Sequence, residues 1–511
     1  MRVFSLYLSA ALLGLVLPAQ AQLAPRAAVR PDLGRLDAYI EKARANWQVP
    51  GLAVAIVKDG KTVFARGYGV KQLGGRERVD TDTLFAIASN TKAFTAAAVA
   101  ILVDEHKLEW HDRVAEILPY FQLYDPWVTR EIRVEDLLCH RVGLRTFSGD
   151  LLWYGTSYSR EEILRRARYL KPEYPFRDGY GYSNLMVLAA GEVVAKKAGM
   201  SWDEFVRERL FMPLGMRRTT TTVRNLAALG NYATPHASFE SPVASIGWVN
   251  WDSMAPAAGI ISSVNDMSRW LLLQLGGGTI DGRRIFSEAA QREMWEPHNV
   301  MSGPAPMERG AESHFSMYGL GWVISDFRGR FTVSHGGAYD GMFSEVWMMP
   351  EERLGVVVLT NCDRGVGRPI VNRIRDVFLG LGERDYSAEA LARNRNARTA
   401  RKEQPLAQTA HPPIGLEQYA GTYGGPMYGD ATVAREGGRL VLKLLPNPDF
   451  VADLTPIGED AFTLKWRKRF AFFAGGRAQF LVDPRGRVTE MRLDIPNNDF
   501  WFDELEFKKK L

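Results

Sequence analysis

Apolar residues follow two kinds of pattern in the first three quarters of the chain. Short β-branched runs at 52–57 and 62–67, joined through Asp59-Gly60, predict a β-hairpin near the start. Further strands are predicted at 321–325, 331–334, 344–349 and 356–360. Between these two groups the apolar positions recur with helical spacing, and one predicted helix precedes and another follows the strands. The predicted helices are 32–46, 92–102, 110–118, 134–138, 160–169, 185–198, 201–210, 266–275 and 370–379.

This order of elements predicts an α/β fold. Because strands come first and last, we expect them to share one antiparallel sheet flanked by helices, while the middle of the chain forms an all-helical lobe. The cleft between sheet and lobe is then the expected ligand site.

The pattern changes after residue 384. A charged stretch that contains proline, 385–414, predicts a solvated helical linker. From residue 415 short alternating runs at 440–444, 462–464, 480–482 and 491–495 predict a small all-β barrel domain over 415–511 with no catalytic set of its own. Its aromatic residues 500–502 would pack inside the barrel, against the cleft rim, or against a second subunit of a homo-oligomer.

The first 21 residues have the pattern of a secretory signal peptide. Arg2 precedes an apolar run over 3–17, and Ala19-Gln20-Ala21 is a small-residue cleavage site. The run is shorter than the ~20 residues of a membrane span. We therefore expect residues 22–384 to form the first mature domain, in a secreted, periplasmic protein without stable membrane insertion.

Composition excludes several other classes of function. A net charge of +5 over 511 residues, with no aromatic-basic stretch, predicts no nucleic-acid partner. Cys139 and Cys362 are the only cysteines and are expected to be free buried thiols. No His, Cys, Asp or Glu cluster has metal-ligand spacing, so neither a metal nor a cofactor is predicted.

Candidate chemistry begins at Ser89, which ends an apolar run just where the helix over 92–102 starts. Lys92 follows three residues later and therefore lies over the same face. A serine hydroxyl becomes nucleophilic when a base takes its proton, and a desolvated lysine can act as that base.

Two further motifs follow Ser-x-x-Lys in order, namely Tyr182-Ser183-Asn184 and His335-Gly336-Gly337. The flanking segments 137–144, 213–216 and 262–270 fit the same pattern. Over residues 33–381 the chain resembles the class C beta-lactamase-related, penicillin-binding-protein-like serine hydrolases, which include esterases, D-aminopeptidases and D,D-peptidases. The barrel resembles the lipocalin-like domain that some members carry.

The resemblance implies a role for each motif residue. Ser89 would be the nucleophile and Lys92 its base; if Lys92 stays charged, Tyr182 takes that role. Tyr182 would otherwise relay the proton to the leaving group. Asn184 would bind Lys92 or the substrate, and the backbone N–H groups of Ser89 and Ala338 would form the oxyanion hole.

The third motif departs from the pattern of the family at His335, where beta-lactamases and D,D-peptidases usually carry lysine. Histidine is mostly neutral at pH 7, so carboxylate recognition should be weaker. Gly336 and Gly337 would let substrate approach the strand closely.

This departure favours esters, amides or D-amino-acid peptides, as small-molecule or peptide substrates of an esterase or a D-aminopeptidase-like enzyme. A beta-lactamase or D-Ala-D-Ala carboxypeptidase is the alternative within the family. A catalytically silent binding protein for cell-wall peptides is the alternative of another class.

Overall fold

A computed structural model describes residues 30–238, 242–301, 312–400 and 412–510, with the backbone alone over 395–400. The predicted signal peptide, 1–21, lies outside these residues, as does the 401–411 part of the predicted linker. Within the described residues no helix combines the length and the apolar character that crossing a membrane requires.

The helices fill the middle of the chain and flank the sheet. They are α1 (Leu33–Asn46), α2 (Thr91–Asp104), α3 (Val114–Ile117), α4 (Pro126–Glu131), α5 (Val134–Leu138), α6 (Arg160–Arg166), α7 (Asn184–Ala198), α8 (Trp202–Val206), α9 (Met212–Leu214), α10 (Leu226–Leu229), α11 (Ala255–Ala258), α12 (Val264–Leu275), α13 (Glu288–Trp295), α14 (Gly367–Leu379), α15 (Tyr386–Ala400) and α16 (Leu416–Tyr419).

The main sheet joins strands from both ends of the first domain. Its strands are β1 (Gly51–Lys58), β2 (Lys61–Gly69), β3 (Asn299–Val300), β4 (Ser316–Tyr318), β5 (Val323–Phe327), β6 (Arg330–Tyr339), β7 (Met342–Met349) and β8 (Leu354–Thr360). They pair antiparallel in the order β2-β1-β8-β7-β6-β5-β4-β3. The expected sharing of one sheet by the two strand groups is confirmed.

Strand β1 shows why the centre of this sheet is buried on both faces. Leu52, Val54 and Ile56 pack with α1 and α14, while the alternating Ala53 and Ala55 face the core that holds α2 and α12. Side chains of a strand alternate between faces, so a continuous apolar run is what a doubly covered strand requires.

The C-terminal domain is a closed barrel, as predicted. Its strands are β9 (Gly421–Gly425), β10 (Gly429–Glu436), β11 (Arg439–Leu444), β12 (Val451–Gly458), β13 (Ala461–Trp466), β14 (Gly476–Val482), β15 (Val488–Asp494) and β16 (Phe507–Lys509). Strands β9 and β16 pair and so close the barrel. Aromatic side chains such as Tyr423, Phe462 and Phe480 are buried among its strands.

The barrel packs directly against the helical lobe. The Tyr154 ring lies 4.4 Å from the Phe500 ring, and the Tyr154 carbonyl accepts a hydrogen bond of 2.9 Å from Asn447 of the barrel. Arg145 of the lobe pairs with Asp503 at 2.9 Å. The two domains are therefore held together by apolar, polar and ionic contacts.

Candidate active site

A sharp turn just before α2 carries Ser89. Residues Ala88–Asn90 form one 3-10 turn that leads into the helix. Ala88 has a φ of +46°, a left-handed conformation that residues other than glycine rarely adopt. Strand β7 holds this turn, because the Ser344 hydroxyl donates to the Ile87 carbonyl at 2.6 Å and accepts from Asn90 at 2.8 Å.

Lys92 is fully buried beside Ser89, with 0% exposure. Its Nζ lies 3.0 Å from Oγ of Ser89, 2.7 Å from Oδ1 of Asn184 and 3.0 Å from the Ala257 carbonyl oxygen. Burial lowers the pKa of Lys92 to about 7, and the charge of Asp150 opposes this by less. A substantial share of neutral amine is therefore present near neutral pH.

Tyr182 precedes α7, and its side chain forms a hydrogen bond with the Ser89 hydroxyl. Nζ of Lys92 lies 4.6 Å from the centre of its ring. Burial raises the pKa of Tyr182 well above its ordinary value, while the hydrogen bond with Ser89 lowers it by less. Near pH 7 Lys92 therefore changes its protonation state and Tyr182 stays a proton donor.

Asn184, the first residue of α7, connects Lys92 to a buried carboxyl group. Its Nδ2 donates to Oδ2 of Asp150 at 2.6 Å, while its Oδ1 accepts from Lys92. Burial raises the pKa of Asp150 to about 7, against the lowering effects of the Trp153 indole, the Asn184 amide and the Lys92 charge. Sequence reasoning missed Asp150.

His335 lies inside strand β6 rather than after a strand, and both of its ring nitrogens are engaged. Nδ1 donates to the Gly336 carbonyl at 2.6 Å, so Nε2 accepts from the Tyr318 hydroxyl at 2.7 Å. Burial, together with the nearby Lys92 charge, lowers the pKa of His335 to about 3. The ring is therefore neutral at ordinary pH.

The two glycines of the third motif differ in their surroundings. A Cβ at Gly337 would overlap the Ile87 carbonyl oxygen and the Ser344 hydroxyl, whereas a Cβ at Gly336 would meet nothing closer than 3.7 Å. Gly337 therefore lets β6 approach the nucleophile turn rather than the substrate, and Gly336 meets no such steric limit. Ala338 comes next on β6 and is exposed to the cavity described below.

A cavity of about 380 Å³ lies over Ser89 and brings the three motifs together. Tyr182, Asn184, His335, Gly336, Gly337 and Ala338 all line it. Lobe aromatics Trp153 and Trp251 form one side. The barrel supplies Phe472, Asp499 and Phe500. The cleft expected between sheet and lobe therefore has a further side, which comes from the barrel.

The barrel's aromatic residues 500–502 divide between the alternatives left open by the sequence. Phe500 lines the cavity, and the Trp501 indole donates to the Thr146 carbonyl at 2.7 Å on the lobe. Phe502 packs with barrel rings such as Phe450. None of these contacts requires a second subunit.

Two carboxyl groups give the cavity an acidic side. Burial raises the pKa of Asp499, and it also raises that of Glu345, against the charge of Arg368 at 4.0 Å. Among the described lining residues no arginine or lysine is present. Arg368 approaches Glu345, and Lys92 contacts Ser89, but neither lines the cavity. The described lining of the cavity therefore offers two carboxyl groups and no fixed positive charge.

Two features lie apart from this chemistry. Cys139 and Cys362 are both buried and free, as expected.

Glu135, Glu293 and His298 come close enough to surround an ion, but Glu135 is already paired with Arg141 at 3.0 Å.

Comparison with known families assigns both domains. The model of a family described as Beta-lactamase matches residues 36–380. A second model, described as a domain of unknown function (DUF3471), matches residues 407–509.

Individual relatives extend the likeness. "Unguisins hydrolase ungD'" of Aspergillus campestris (strain IBT 28561) is 28% identical over 77% of this chain and 76% of its own length. "Penicillin-binding protein 4" of Amycolatopsis lactamdurans is 27% identical over 74% of this chain and 94% of its own length. The solved octameric penicillin-binding protein homologue from Pyrococcus abyssi, 21% identical, covers 94% of this chain and is itself covered completely, with a TM-score of 0.60. At that identity it shows the fold alone.

Proposed function

The chain belongs to the beta-lactamase family and is a serine hydrolase, and we propose that it is exported and forms an acyl-enzyme on Ser89. Its proposed activity is that of an esterase or a D-aminopeptidase on esters, amides or D-amino-acid peptides. The observation that carries this proposal is the contact of buried Lys92 with Ser89 at the floor of a cavity whose charged side chains are acidic.

In the acylation step, neutral Lys92 takes the Ser89 proton as Oγ attacks the carbonyl carbon. A neutral amine has two N–H groups and one lone pair. The Asn184 side chain and the Ala257 carbonyl accept the two N–H groups, so the lone pair is left for Ser89.

The tetrahedral oxygen is held by the backbone N–H groups of Ser89 and Ala338, as the family pattern implies. Tyr182, which stays protonated, passes a proton to the leaving group and recovers it through Lys92. Water then hydrolyses the acyl-enzyme, with Lys92 again taking a proton. Asn184 serves Lys92 in this scheme rather than the substrate.

The charge of the cavity supports an amine-bearing substrate. The carboxyl groups of Asp499 and Glu345 line the cavity, and His335 is neutral where carboxylate-binding relatives usually carry lysine. An ammonium group of the substrate would pair with the Asp499 carboxylate, and this ion pair would be stronger in the desolvated cavity than in water.

The same charges weigh against the other interpretations. A beta-lactam or D-Ala-D-Ala substrate would bring its carboxylate to a surface without a fixed positive charge. A silent binding protein would have no need of a lysine held neutral beside a serine, since such burial costs stability.

The nucleophile is tested with a fluorophosphonate probe. Ser89→Ala should abolish labelling, whereas Ser201→Ala, a matched change at a helix N-cap, should leave it intact. Labelling that persists in the Ser89 variant would overturn the proposed mechanism.

Specificity is tested with three substrates. D-alanine p-nitroanilide and its N-acetyl derivative form a pair that differs in the free amine, and a cephalosporin represents the beta-lactams. The free amine should be preferred, and Asp499→Asn should reduce that preference roughly tenfold, the usual worth of a charged hydrogen bond. A cephalosporin turned over faster than the free amine would favour the beta-lactamase alternative.

Export and assembly stay predictions. Cell fractionation with N-terminal sequencing of the mature protein tests cleavage after Ala21. Light scattering tests the predicted homo-oligomer.

A further inference from the structure

Asp150 is a buried ionisable residue to which neither the sequence motifs nor the acylation steps assign a role. It opens a 3-10 turn of the lobe at 150–152, and only 3% of its surface is exposed. Because burying a carboxylate is costly, its retention in the floor of the site calls for a specific partner. That partner is Nδ2 of Asn184, at 2.6 Å.

The direction of this hydrogen bond decides which end of the Asn184 amide faces Lys92. Above its pKa of about 7 the Asp150 carboxylate can only accept hydrogen bonds, so it requires Nδ2 on its side and Oδ1 on the other. Oδ1 then accepts from Lys92 at 2.7 Å. If the amide were reversed, Nδ2 would point its hydrogen at Lys92 and would compete with Ser89 for the lone pair.

We propose that Asp150 is a positioning residue, which fixes the Asn184 amide so that the lone pair of Lys92 is directed at Ser89. The inference rests on the proposed function, since it assumes that Lys92 acts as the base. Asp150 contacts neither the nucleophile nor the space for substrate. It orients the lone pair of Lys92 through Asn184, and its charge separately raises the pKa of Lys92.

The test is Asp150→Asn, which preserves shape but lets residue 150 donate as well as accept. With the amide free to reverse, the acylation rate at its high-pH plateau should fall roughly 100-fold, the lower range of general-base catalysis. The acid limb of the rate should also move to lower pH, because the lost charge raises the pKa of Lys92 in the wild type.

Glu504 provides the matched control for charge. This barrel residue is the other carboxyl group beside Asp150, and it accepts hydrogen bonds from Ser148 at 2.6 Å and the Gly149 N–H at 2.8 Å, with Arg145 at 3.2 Å. Glu504→Gln removes the same charge without touching Asn184, and should keep the plateau within about threefold of wild type.

A swap of the two residues separates positioning from structure. In the double variant Asp150→Asn/Asn184→Asp, the amide now at position 150 donates to the carboxylate now at position 184. That carboxylate in turn accepts from Lys92, so the lone pair again faces Ser89. The plateau should recover at least tenfold over the single variant, with the acid limb moved to higher pH because the carboxylate now contacts Nζ. Both variants are checked for folding by circular dichroism.

The outcomes are distinct. A single variant with the wild-type plateau, or a folded swap no faster than the single variant, would overturn the role of Asp150. If the single variant does not fold, the swap, which keeps the same side chains in the same space, decides alone; a second failure to fold would show Asp150 to be structural. Ser89→Ala that still labels would instead overturn the proposed function.

Discussion

Replacing Lys92 by methionine should remove a large pH dependence from the stability of the protein. Lys92 is fully buried, and its pKa falls to about 7 in the folded protein. In the unfolded chain it returns to ~10.4. Between these values the unfolded state binds more protons than the folded state, so stability rises with pH across this window.

The size of the effect follows from the two pKa values. Each unit of difference corresponds to about 1.4 kcal/mol, and most of the window lies between pH 7 and pH 10. Over that interval the wild type should gain roughly 3 kcal/mol relative to Lys92→Met. At any one pH the difference in unfolding free energy between the two proteins also contains a second contribution. It arises because methionine leaves the Asn184 side-chain oxygen and the Ala257 carbonyl without the Lys92 donor.

The measurement is denaturant unfolding of both proteins at pH 7, 8, 9 and 10. Titrating groups that do not sense the Lys92 charge are common to the two proteins and cancel in the difference. Asp150 does not cancel, because the Lys92 charge lowers its pKa, and its higher pKa in Lys92→Met adds to the relative gain of the wild type. Lys61→Met, at an exposed position, serves as the control and should show no such slope. If the wild type and Lys92→Met curves run parallel, Lys92 is charged in the folded protein, and the base must be found elsewhere.

Three further outcomes follow from the same geometry. The rate of acylation by an activated ester, measured as a burst, should rise with pH to a plateau above about 7, as neutral Lys92 accumulates. Gly337→Ala should slow probe labelling at least 100-fold by pushing β6 off the Ile87 carbonyl, while Gly336→Ala, which has room for a Cβ, should label normally. Phe500→Ala should leave probe labelling within a few fold of wild type but raise the KM of p-nitroanilide substrates, because it opens the barrel side of the cavity; an unchanged KM would mean that the barrel does not contact substrate.

The sheet could be predicted because each of its central strands is a continuous apolar segment of the sequence. Strand β1 is covered on both faces and therefore reads as an unbroken apolar run. Strands β3 and β4, which end one side of the sheet, are only two and three residues long and partly exposed. They were not predicted, since so short a segment gives no periodic signal. The helix predicted over 201–210 ends early as α8, and π-helical residues Arg207–Phe211 continue it.

The site was predictable as far as residue spacing carries it. Ser89, Lys92, Tyr182 and Asn184 stand in ordered motifs, and the structure brings them within reach of one another. Asp150 had one weak signal, an acidic residue at the start of the apolar run 151–154.

Asp499 had no signal, since Asn-Asn-Asp between two β-runs looks like any turn. Its position in the cavity depends on how the barrel packs on the lobe, a contact between segments some hundreds of residues apart in sequence. Glu345, on predicted strand 344–349, gave no sign of which face it would take.

The barrel's share of the cavity also fixes when, during synthesis, the protein can become a finished catalyst. Strand β1 cannot join its neighbour β8 until residues 354–360 have been made, and the cavity lacks one side until Asp499 and Phe500 arrive. Domains fold in order as the chain emerges. The first domain should therefore pass through a stage in which Ser89 stands in an open groove and the Tyr154 ring is bare. A chaperone that binds exposed apolar surface would act on this protein mainly at that stage, because the Tyr154 ring is not yet covered by Phe500.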